Sequence, residues 1–114
     1  MKLFGIRNCD TMKKARRWLE DNNIAYEFHD YKKDGVDVER LKAQIDRAGL
    51  ENLVNKRGTT WRKLPEEDKA KLVDGDSAIN LLRENASMIK RPVLEVGDDV
   101  LVGFNEEIWS ERLT

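Results

Sequence analysis

The spacing of apolar residues changes character twice along the chain. At the start, Leu3-Phe4-Gly5-Ile6 is a short continuous apolar run, so Lys2 to Ile6 reads as a buried strand. Met12, Ala15 and Leu19 then recur at helical spacing, with Asp10 or Thr11 placed to cap that helix and Asp21-Asn22-Asn23 to stop it. Ile24, Tyr26 and Phe28 alternate with polar partners and predict a half-buried second strand. A helical crossover of this length makes the two strands parallel.

The middle of the chain keeps helical spacing. Asp30 to Gly35 reads as a polar turn, and Val38, Leu41, Ile45 and Ala48 mark one face of a helix that Gly49 can end. Leu50 to Val54 fits one more turn, Asn55 to Thr60 is a loop by composition, and Pro65-Glu66-Glu67 looks like a helix start. Another helix is predicted from about Asp76 or Ser77, carrying Ile79, Leu81 and Leu82. Alternation then returns: Val93 to Val96, Gly97-Asp98-Asp99 and Val100 to Val102 form a hairpin signal. Asn105 can cap a last helix containing Ile108, Trp109 and Leu113. The reading is an α/β chain in the order β-α-β, helical insert, β-β-α.

Composition narrows this picture. At 114 residues the chain is one domain, 1–114, with the insert at about 33–88. Its 21 basic and 22 acidic residues leave a formal charge of −1, with no basic stripe to suggest nucleic acid. No signal-peptide pattern or membrane-spanning stretch is read, and no His/Cys cluster has metal-ligand spacing, so neither membrane nor metal is expected. A lone cysteine fits a reducing cytoplasm, and a monomer is expected.

That cysteine, Cys9, is the candidate for chemistry because it stands between the first strand and the first helix. Unpaired N–H groups and the helix dipole meet there and favour a thiolate, the nucleophilic form. The dipole contributes about 0.3–1 kcal/mol. A guanidinium at roughly 6 Å, with a dielectric constant near 20, contributes about 3 kcal/mol. Arginines should therefore outweigh the helix end. Arg7, Arg57 and Arg91 are the ones to consider, and Lys13 could reach an anion at Cys9. Position 12, where a Cys-x-x-Cys pair would have its second thiol, holds Met12. Any catalytic cycle must therefore pass through a mixed disulfide with an external thiol. His29, the only histidine, reads as a solvated edge residue, and the three tryptophans as core or interface. The Lys13-Lys14 and Arg16-Arg17 run reads as a solvated helix face.

Asn8-Cys9 at a helix start, Lys13-Lys14-Ala15, Trp18-Leu19-Glu20, Asn55-Lys56-Arg57-Gly58 and Lys90-Arg91-Pro92-Val93 occur in that order. Together they resemble the arsenate reductase-like family of thioredoxin-fold proteins, which includes arsenate reductases, Spx-type regulators and a YffB-like branch. The resemblance implies a thioredoxin-like fold with a four-stranded mixed sheet and a helical insert between its halves. It implies Cys9 as nucleophile, Arg57 and Arg91 as groups holding an oxyanion or thiolate, and Pro92 as a cis-proline beside the cysteine. Asn8, Asp10, Thr11, Lys13 and Pro92 would line the substrate or glutathione site. Glycine stands at position 103, where the reductases carry a third arginine, and Met12 removes the disulfide switch of the regulators. The YffB-like branch then implies a glutathione-dependent thiol reductase, with glutathione as co-substrate and glutaredoxin as a possible partner. Arsenate reduction, and a non-enzymatic module docking on a protein such as RNA polymerase, are the alternatives.

Overall fold

A computed structural model describes residues 1–72 and 75–114. Four strands, β1 (Lys2–Gly5), β2 (Glu27–Asp30), β3 (Val93–Val96) and β4 (Asp99–Val102), form one sheet in the order β2-β1-β3-β4. β1 and β2 are parallel, whereas β1–β3 and β3–β4 are antiparallel. The parallel pair is joined by α1 (Asp10–Asp21), which is long enough for the crossover that parallel strands require. A two-residue turn, Gly97-Asp98, closes the β3–β4 hairpin, and Gly97 supplies the φ of 57° that this turn needs.

Both faces of the sheet are covered, and β1 shows how. Leu3 and Leu94 pair and face a cluster with Met12, Ala15, Leu19 and the buried Trp109. Trp109 comes from α8 (Glu106–Leu113), whose N-cap Asn105 accepts from the Ile108 amide. Phe4 and Val93 pair and face the other way, into the helices between β2 and β3. These are α2 (Tyr31–Asp34), α3 (Val38–Ala48), α4 (Leu50–Leu53), α5 (Thr59–Lys63), α6 (Glu66–Lys69) and α7 (Gly75–Glu84), followed by a 3-10 turn, Ala86–Met88. A strand buried on both faces reads as a continuous apolar run, as β1 does.

Several expectations are corrected by what each segment can pair with. The strand pattern at Ile24 and Tyr26 does not extend β2, whose pairing with β1 begins at Glu27 opposite Lys2. The polar turn after it is a helical turn: the Asp30 carboxylate caps it through the Lys32 amide, and Tyr31 is buried beneath it. Thr59 and Thr60 belong to α5, not to the preceding loop. His29 is half-buried, its ring tilted against Phe4 and edge-on to Tyr31, with Nε2 2.7 Å from the Gly35 carbonyl oxygen. Its place beside two aromatic rings outweighs its polar position in the alternation. On α8, Trp109 faces the core and Ile108 faces outward.

Candidate active site

Cys9 itself is the N-cap of α1, in extended conformation at φ −95° and ψ 133°. The expected caps, Asp10 and Thr11, are instead the first helical residues. The turn from β1 explains this: the Cys9 amide donates to the Ile6 carbonyl at 3.3 Å, and the Cys9 carbonyl accepts from Lys13 at 3.0 Å. The thiol thus occupies the position from which a serine or aspartate side chain would meet the next amides. It makes no hydrogen bond of ordinary cap geometry, yet the Met12 and Thr11 N–H groups both favour its charged form.

Cys9 is half-buried, and that partial burial opposes ionisation more than any other single influence. It is outweighed by the Met12 amide, hydrogen bonding from Arg91, the Thr11 amide and the charge of Arg91. Together these hold the thiol below its ordinary pKa. The Met12 amide outranks each Arg91 contribution taken singly, and Arg91 acts twice, through hydrogen bonding and through its charge. A dipole treated as a distant charge understates two N–H groups close to the thiol.

Arg91 is fixed by its own neighbours. Its Nη1 donates to the Ser87 carbonyl at 3.0 Å, and the Ser87 hydroxyl lies 2.8 Å from that of Thr60 on α5. The Arg91–Pro92 peptide is cis, and the Pro92 carbonyl accepts from the Gly103 amide at 2.8 Å. Arg91 Nε and the Tyr31 hydroxyl are buried without hydrogen-bond partners. Tyr31 feels the Arg91 charge, but burial and Glu95 hold its phenol well above the ordinary range. Met12 is wholly buried against Gly5, where an added Cβ would come within 2.6 Å of the Met12 methyl. Position 12 is thus a core site.

Residues 4–112 match the ArsC family. The chain belongs to that family. An uncharacterized protein of Haemophilus influenzae is 47% identical over 105 residues, covering 92% of this chain and 91% of that protein. The solved structure of the YffB protein is 48% identical and superposes with a TM-score of 0.93, covering 99% of this chain and 98% of that one. The arsenate reductase-related protein of Brucella melitensis is 47% identical, with a TM-score of 0.75, covering 99% of this chain and 94% of that one. The sheet and its helices are therefore the thioredoxin-like α/β fold of the ArsC family.

Within this ArsC-family chain the site residues named from sequence divide into two groups. Cys9, Thr11 and Arg91 come together where β1 ends and α1 begins, and Pro92 follows Arg91 just before β3. Asn8, Asp10 and Lys13 are exposed around that turn. Arg57 is exposed on the 55–58 loop, its amide donating to Asn55 Oδ1, and is not among the groups acting on the resting thiol. Arg7 turns to the Phe28 ring, 5.9 Å from its centroid. Sequence reasoning missed Ser87, Tyr31 and the packing of Arg16 on Phe28. No local spacing links those residues, so only the fold reveals them. Among the described residues no group of three His, Cys, Asp or Glu side chains is placed to hold a metal ion, and no helix is long and apolar enough to cross a membrane.

Proposed function

We propose that this chain is a glutathione-dependent thiol/disulfide reductase with one nucleophile, Cys9. The observation that carries the reading is an Arg91-held thiol at a helix N-cap, in a chain with no second cysteine. The Cys9 thiolate attacks the glutathione sulfur of a mixed disulfide. The Cys9–glutathione disulfide forms, and the target thiol leaves with the bonding pair and takes up a proton. A second glutathione thiolate, or a glutaredoxin, then attacks the glutathione sulfur of the adduct and releases Cys9 as thiolate. The charge spread over three sulfurs in each step faces the Met12 and Thr11 amides and the Arg91 guanidinium.

Arsenate is less well served. Gly103 sits beside Pro92 with φ at 82°, so position 103 brings no third guanidinium to the site. Incubation with glutathione disulfide should give one glutathione per chain, seen by mass spectrometry, in wild type and none in Cys9→Ser. A wild-type thiol that alkylates freely but never forms this adduct contradicts the reading.

A further inference from the structure

Phe28, on the edge strand β2, carries two guanidinium groups. Arg16 Cζ lies 4.5 Å and Arg7 Cζ 5.9 Å from its ring centroid. Arg16 is further fixed by its Nε donating to the Tyr26 hydroxyl at 3.1 Å, and that hydroxyl donates to Glu20. Neither arginine has a carboxylate partner: the ion pairs among the described residues are Arg40–Glu95, Lys69–Glu66, Lys71–Asp68 and Arg112–Asp99. With Nε occupied, Arg16 still has its two terminal nitrogens to present as a fork, the geometry that suits a carboxylate. Arg7 is exposed and lies over the same ring. An aromatic ring that aligns two unpaired guanidiniums holds them in place without neutralising them.

The position of this pair relative to the thiol sets its use. Cys9, Lys13 and Arg16 follow one another at i, i+4 and i+7, so they share one stripe of α1. Cys9 and Phe28 pack against the same apolar cluster. Seven residues of helix rise about 10 Å. In glutathione the sulfur is on the middle residue. The γ-glutamyl carboxylate lies eight bonds from it, about 10 Å when extended, so that carboxylate can reach Arg16 while the sulfur is on Cys9.

We infer that Arg7 and Arg16, aligned on Phe28, bind a carboxylate of the thiol co-substrate while its sulfur is joined to Cys9. This rests on the monothiol reading above and names the recognition element for the glutathione-type substrate. Arg7 and Arg16 then act on the peptide end of the substrate, and Arg91 on its sulfur.

The test compares two mixed disulfides of glutathione with the same small neutral thiol, one with free carboxylates and one with both esterified. Rates of Cys9 adduct formation are followed by mass spectrometry at low and high salt. Wild type should prefer the free acid by about tenfold at low salt, and less at high salt. Arg7→Gln and Arg16→Gln should each cut that preference about threefold, with Arg16→Lys retaining more of it than Arg16→Gln. Lys14→Gln, on the exposed side of α1, should leave it unchanged. Equal wild-type rates with both disulfides overturn the inference and leave the monothiol reading standing. So does a preference that survives both Arg→Gln changes, or a loss shared equally by the two disulfides. No adduct with either disulfide, from a thiol that still alkylates, overturns the monothiol reading and this inference with it.

Discussion

Two arginines stand at opposite ends of the central strands and are used in opposite ways. Arg40, on α3, donates from Nε to Glu95 at 3.1 Å, and the buried Gln44 donates to the other Glu95 oxygen at 2.9 Å. Its charge is met by a carboxylate, and its guanidinium lies over Phe4. Arg91 has no carboxylate partner among the described residues. One of its nitrogens meets a backbone carbonyl, and its charge is left for the Cys9 thiol. Residue type alone does not separate them. What separates them is whether an acid is within reach, and a partly buried guanidinium without one is a place where an anion is stabilised.

Substitutions at each end should make the contrast sharper. The largest effect is expected at Arg91→Ala, where exchange of Cys9 with a disulfide near neutral pH should slow by about ten- to a hundredfold. Stopped-flow measurement at fixed pH checks this, and an unchanged rate would dissolve the contrast. Next comes Glu95→Ala, which strands the buried Gln44 amide and should lower stability by about 1–3 kcal/mol in urea titration, with Cys9 reactivity unaffected. The smallest is Arg40→Ala. That side chain is 42% exposed, so its ion pair should contribute less than about 1 kcal/mol, again with no change at Cys9.

The same contrast explains what could be read without coordinates. Local periodicity carried most of the fold: Met12, Ala15 and Leu19 point to one face of α1, Gly49 ends α3, and Gly97-Asp98 turns the hairpin. It failed where the deciding partner is distant in sequence. Tyr31 lies in a stretch that is polar by composition, yet it is buried against Phe4. Ile24 and Tyr26 lie outside β2, whose pairing with β1 begins at Glu27. At the site, the junction before α1 marked Cys9, but its role as N-cap depends on the Ile6–Cys9 turn. Arg91 and Arg57 looked equivalent as sequence, and only Arg91 acts on the resting thiol. Packing of Arg7 and Arg16 on Phe28 pairs residues from a turn, a helix and a strand, and no spacing rule joins them.

The most direct measurement is the pH dependence of Cys9 alkylation in wild type, Arg91→Ala and Arg40→Ala. Because the thiolate is the form stabilised in the folded protein, reactivity should rise at a pH below the ordinary thiol value of about 8.5 in wild type. By the same linkage, stabilisation from the ionised thiol is fully present above that ordinary value and is lost as pH falls through the lowered folded value. The midpoint should move up in Arg91→Ala and stay in place in Arg40→Ala. A wild-type midpoint at or above the ordinary value, or equal midpoints in wild type and Arg91→Ala, would contradict an arginine-held thiolate at the start of α1.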